Sequence, residues 1–205
     1  MKKNLVALAV TSLAYLFALK AQADTSYLLI QGPFGPGGTT ETFKWAENYT
    51  PGAANTVTNG FDLLSNALTS DELQYTAYSF GNFVNGFTLS GSAVANSFDD
   101  NTNSGLEWNY YTAGPTDGQW TYSANAGPSS SPVSDGSFDG WVYGTLVYDS
   151  NYNVTTVASI DGSDNAPTSA DFSGATIVSV PEPSSVGLVL LGAAGAVAVS
   201  RRKRA

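Results

Sequence analysis

The chain has 205 residues, with 8 Lys+Arg against 17 Asp+Glu, 42% hydrophobic and 12% aromatic residues, and neither Cys nor His. The length allows one globular domain or at most two small ones. The missing residue types exclude a Ser-His-Asp triad, a cysteine nucleophile, a histidine base, a thiolate or imidazole zinc site and any disulfide, and a net charge of −9 argues against nucleic acid as a partner.

In chain order, Met1 to Ala23 has the layout of a signal peptide. Lys2 and Lys3 give the positive start, a mostly apolar run follows from Leu5 to Leu19, and Ala21-Gln22-Ala23 supplies the small-x-small cleavage pattern, so the mature chain would begin at Asp24. Signal peptidase and the secretion machinery are the partners this implies. Thr11-Ser12 and Lys20 interrupt the run and speak against a permanent anchor.

From Asp24 to Val180 turn signals are dense and apolar runs short, which predicts a single compact, mainly β (α+β) domain. Expected strands are Ser26 to Gln31, Thr40 to Ala46, Leu73 to Phe80, Phe83 to Ser92, Glu107 to Thr112, Gln119 to Ser123, Trp141 to Tyr148, Val154 to Ile160 and Ala175 to Val180. Asn85-Gly86, Asp117-Gly118, Asp139-Gly140 and Asp161-Gly162 mark reversals, because Asn or Asp before Gly tolerates positive φ. Phe61, Leu64 and Leu68 recur at helical spacing behind Thr58 or Asn59 as cap, with Asp62 in the first turn, so one short helix runs to Ser70. Residues 127–132 and 161–173 read as loops.

Residues 180–204 form three blocks: Val180-Pro181-Glu182-Pro183-Ser184-Ser185, an apolar run from Val186 to Val199, and Arg201-Arg202-Lys203-Arg204. Those 14 apolar residues are expected to form a transmembrane helix that serves as a transient anchor, short at ~21 Å against a hydrocarbon core of ~30 Å. The basic tail keeps its own end cytoplasmic and leaves Asp24 to Pro183 outside. Prolines 181 and 183 hold the chain extended just outside the bilayer.

This order of blocks resembles the PEP-CTERM sorting signal of Gram-negative bacteria. The resemblance implies recognition by an exosortase, a membrane transpeptidase that cuts near Pro181-Glu182-Pro183, and a destination in the cell envelope, outer surface or biofilm matrix. A second resemblance covers Tyr27 to Tyr148, where the order strand, strand, helix, then Gly81-Asn82-Phe83-Val84-Asn85-Gly86, Trp108-Asn109-Tyr110-Tyr111, Gly127-Pro128 and Asp135-Gly136 before Trp141-Val142-Tyr143-Gly144 is similar to transcobalamin-type β-grasp domains. It implies a binding or adhesion module with a β-grasp-like fold; a β-sandwich is the alternative.

Without its two ends the exported segment keeps one base, Lys44, against all 17 acids, a net charge of −16. Carboxylates are the only abundant catalytic groups left, and Glu41, Glu47, Glu107, Asp117 and Asp139 lie near aromatics. A glycoside hydrolase acting on exopolysaccharide would need two of them paired across a sugar; no spacing nominates a pair, and the expectation is no enzyme and no cofactor. Asp99 to Gly105 and Asp149 to Asn153 alternate oxygen ligands but lack the Gly and Glu of a calcium loop, so both read as turns, with no metal assigned. Trp108, Tyr110, Tyr111, Trp120 and Trp141 are the candidate platform for an exopolysaccharide, provided their rings are exposed.

Overall fold

A computed structural model describes residues 23–51, 56–79, 81–99, 101–117, 119–123, 127–151, 153–159, 172 and 174–179. Strands β1 (Asp24–Gly32) and β2 (Glu41–Tyr49) form an antiparallel hairpin around a 3-10 turn at Pro36–Gly38. Helix α1 (Gly60–Ala67) follows, then β3 (Leu73–Tyr78), β4 (Gly81–Leu89), β5 (Ser92–Ala95), β6 (Ser97–Asp99), β7 (Ser104–Ala113) and β8 (Thr121–Tyr122). After a second 3-10 turn at Pro128–Ser130 come β9 (Phe138–Tyr148), β10 (Val154–Val157) and β11 (Thr176–Ser179).

Among the described residues these strands form two sheets. The larger has the order β11-β2-β1-β9-β7-β6, with β8 beside β7 and β10 beside β9; the smaller is β3-β4-β5. β1 runs parallel to β9, with Ile30 opposite Trp141, although the two strands are more than a hundred residues apart in sequence.

Strand alternation sends successive side chains to opposite faces, and here both faces of the large sheet are apolar. Leu28, Ile30, Trp45, Trp108, Tyr110 and Trp141 meet Leu64 and Leu68 of α1 and Val84, Phe87 and Val94 of the small sheet in the main core. Leu29, Tyr111, Phe138 and Val142 face the other way and pack with Trp120 and Phe172. The aromatics interlock: Trp108 stacks on Phe34 at 5.7 Å, meets Phe87 edge-on at 4.6 Å, and donates Nε1–H to the Val94 carbonyl at 3.1 Å. That donor needs a partner once buried.

Helix α1 starts where its cap predicts. The Asn59 side chain accepts from the Phe61 and Asp62 amides at 3.0 and 3.1 Å, while Asp62 reaches back to the Thr58 amide and hydroxyl at 2.9 and 2.6 Å. It stops at Ala67 rather than Ser70. Leu68 turns extended, and the Glu72 carboxylate accepts from the Thr69 amide and hydroxyl, both at 2.8 Å, which fixes a separate turn.

Two expected reversals lie inside strands. At Asn85-Gly86, Gln74 pairs with Gly86 but Tyr75 with Val84, so Asn85 is the extra residue of a β-bulge. Gly86 serves close approach, since a Cβ there would stand 2.7 Å from the Val94 carbonyl. Asp139-Gly140 sits in β9, paired on both sides by β1 and β7, where the ladders override turn propensity. The reversal in this region is instead Ser90-Gly91, both at positive φ (50° and 77°), which splits the expected strand Phe83 to Ser92 into β4 and β5 through a two-residue hairpin turn. Asp161-Gly162 lies outside the described residues. Among those residues no helix is long and apolar enough to cross a membrane, and the expected span 186–199 is not one of them.

Candidate functional site

Strand alternation places Glu47 and Asp139 on the same face of the large sheet, beneath α1. Glu47 is fully buried and neither of its oxygens has a hydrogen-bond partner. Desolvation pushes it up to about 8 from 4.5; the nearby Asn66 amide pulls the other way, and the charges of Asp139 and Asp62 add to the rise. Asp139 is 2% exposed, accepts from the Tyr110 hydroxyl, and is raised by burial to about 7. Burial and the Asp139 charge likewise drive the Tyr110 phenol far above its ordinary range. Ser26, opposite Glu47 in β1, completes this polar seam with Tyr49 and Ser137, each 3.3 Å from its hydroxyl.

Among the described residues no base neutralises the pair. Lys44, on the opposite face of the sheet, lies 5.7 Å from the centre of the Phe172 ring. The chemistry open to two sealed carboxyls is to hold their protons at pH values where ordinary carboxyls have lost them. A hydrolytic pair must reach a sugar and a water, which this pair does not. Of the other acids singled out, Glu41 opens β2, Asp117 is exposed and caps the turn at Gly114, and Glu107 stands without an acidic partner in a cleft.

The five rings proposed as an exposed platform are interior. Trp108, Tyr110 and Trp141 belong to the main core, whereas Tyr111 and Trp120 lie on the other side of the sheet; none is more than 8% exposed. The chain is aromatic because two apolar faces have to be filled, so these residues cannot stack sugars from the surface.

The cleft lies along β7. Its outer edge is paired by β6 as far as Leu106 and by β8 from Tyr111, which leaves Glu107 to Tyr110 without a strand neighbour. Asn96 Oδ1 accepts from the Trp108 amide, and Ser123 donates its amide to the Tyr110 carbonyl, both at 2.9 Å. The gap between the two short strands, faced by the start of β4 and the Pro128–Ser130 turn, encloses about 480 Å³. Its accessible aromatics are Phe83, Tyr122 and Tyr148. Burial raises Glu107, whose charge in turn helps to raise both tyrosines.

Sequence reasoning missed these three rings. Simple alternation sends Phe83 to the same face as Phe87, but the bulge at Asn85 reverses it and leaves Phe83 45% exposed while Phe87 is fully buried. An Asn-Gly inside an aromatic strand is the signal that could have been read as a bulge rather than a turn.

Asp99 and Asp149 are turn formers. Asp99 Oδ1 accepts from the Asn101 amide at 2.9 Å, and Asp149 Oδ1 from the Asn151 and Asn153 amides at 2.8 and 2.9 Å; bonds to Asn101 and Asn153 hold the two carboxyls below their ordinary values. Among the described residues no group of three or more metal-ligating side chains converges.

Ala23 is exposed and Asp24 opens β1, opposite Tyr49. Ala21, Pro181, Glu182, Pro183, Arg201, Arg202, Lys203 and Arg204 lie outside the described residues. No curated protein and no solved structure matches the chain. Residues 179–204 match the family model for the PEP-CTERM protein-sorting motif, so the chain carries the signal by which an exosortase recognises an exported protein bound for the cell envelope.

Proposed function

We propose that this is a non-enzymatic component of the cell surface or extracellular matrix that associates with exopolysaccharide. It is made with a signal peptide, held as an inner-membrane precursor by residues 186–199 with its basic end in the cytoplasm, and processed at Pro181-Glu182-Pro183. The observation that carries this reading is the sorting motif at 179–204. The composition supports it: one base and 17 acids outside the two ends keep the domain soluble and repel anionic lipid and nucleic acid.

The non-enzymatic part is supported by the sealed position of Glu47 and Asp139 and by the cleft's having one carboxylate, Glu107, among the described residues that line it. The β-grasp reading is supported by topology. A β1–β2 hairpin, the helix α1 in contact with both strands, and a late strand β9 parallel to β1 in the order β2-β1-β9-β7 are features shared with a β-grasp domain.

Cell fractionation tests the processing step. Glu182→Ala should strand the chain as a full-length species in the inner membrane, where the unaltered protein passes to the surface. A variant that reaches the surface at the ordinary rate and size would overturn the proposal.

A further inference from the structure

The cleft beside β7 holds a charge that the fold leaves unmatched. Glu107 is half-buried there, and burial is the cause of its raised value, with no bonded group or cation among the described residues acting on it. Lys44, the one base between Asp24 and Pro183, is three strands away across β1 and β9, ~14 Å at ~4.8 Å per strand. Tyr122 and Tyr148 flank the carboxylate closely enough to feel its charge, and packing on neighbouring rings orients both: Tyr122 against Tyr111 at 5.4 Å, Tyr148 edge-on to Phe98 at 5.6 Å. Phe83, 45% exposed, also lines the cleft.

A carboxylate between aromatic faces attracts an ammonium group twice, by the charge-assisted hydrogen bond and by the ring quadrupole. Among the described residues the lining has an acid and no base, which disfavours uronate, sulfate and phosphate, since each would bring a second negative charge. Asn82, Ser129 and Ser130 at the rim add the hydroxyl and amide groups that orient a sugar, and about 480 Å³ is within the ~300 to 1,000 Å³ of small-ligand sites. Resting on the glycan-binding reading above, we infer that this cleft takes an amino sugar: a residue with a free, protonated amine held by Glu107 and its ring face laid against Tyr122 or Tyr148.

Calorimetric titration of the full-length chain in detergent, with tetramers of glucosamine, N-acetylglucosamine and glucose, tests the inference. The glucosamine tetramer should bind at least about tenfold tighter than the other two, and added salt should shrink that preference. Glu107→Gln, and independently Glu107→Asp, should reduce it, while Glu41→Gln at the start of β2, outside the cleft, should leave it unchanged. Equal affinities for the three tetramers, or a preference unchanged in both Glu107 variants, would remove the amine and leave the glycan reading standing. Failure of all three to bind would remove the glycan reading and this inference with it. Tetralysine binding as tightly as the glucosamine tetramer would show a site for ammonium groups without the sugar, and would overturn the assignment.

Discussion

Raising the pH from 5 to 9 should destabilise this domain, because Glu47 and Asp139 are folded into a place that accepts them only as neutral acids. Their folded values, about 8 and about 7, lie above the ordinary 4.5 and 3.8. Between these limits the folded chain binds more protons than the unfolded one, so stability falls as pH rises. The contribution is fully present below about pH 4 and is lost as the pH passes through 7 to 8. At ~1.4 kcal/mol per tenfold, Glu47 alone corresponds to ~5 kcal/mol. The two acids repel each other when ionised, so their effects do not add, and local opening to water reduces the total; ~3 to 5 kcal/mol for the pair is the working figure. Against a usual ~5 to 15 kcal/mol that is a large share.

Urea unfolding followed by tryptophan fluorescence at pH 5, 6, 7, 8 and 9 reads it directly. Exposed carboxylates finish titrating by about pH 6, so the fall above that isolates the buried pair. Glu47→Gln, which cannot ionise, should flatten the curve and be more stable than the unaltered chain at pH 8. A wild-type curve that is level or rising between pH 6 and 9, or a Glu47→Gln curve with the same slope, would refute the reasoning.

Gly60→Ala should destabilise by more than ~1 kcal/mol in thermal melts, although alanine is ordinarily the better helix former; a Cβ there would run into Asp139 Oδ1 and the Tyr110 hydroxyl, and a variant that melts higher would contradict the seam. Phe87→Ala should cost ~3 to 5 kcal/mol, since Phe87 is fully buried between Trp108 and Trp141; a loss under ~1 kcal/mol would mean that the small sheet does not pack on the large one.

The sequence made the local elements readable and left their pairing hidden. Asn59, Asp62 and the Phe61-Leu64 spacing announce α1, because a cap and a helical period are written within ten residues. The expected strands find counterparts, displaced by a few residues, over the described part of the chain. What stayed hidden depends on distant partners. Nothing near Leu28 says that β9 will lie parallel to it, and only that pairing turns Asp139 from a turn former into a buried acid facing Tyr110. Trp108 and Trp120 carry the same signal in sequence but fill opposite faces of the sheet. The cleft was invisible for a related reason: it is a gap between the ends of β6 and β8, and a gap is set by where two neighbours stop.

Processing at Pro181-Glu182-Pro183, inside the sorting motif at 179–204, would leave the surface protein shorter than its membrane precursor. Mass spectrometry of the protein recovered separately from inner membrane and from the surface or matrix reads that difference. The surface pool should have a C-terminus near residues 181 to 183 and should disappear when the exosortase is deleted. Peptides running through Val199 to Arg204 in that surface pool would contradict such processing.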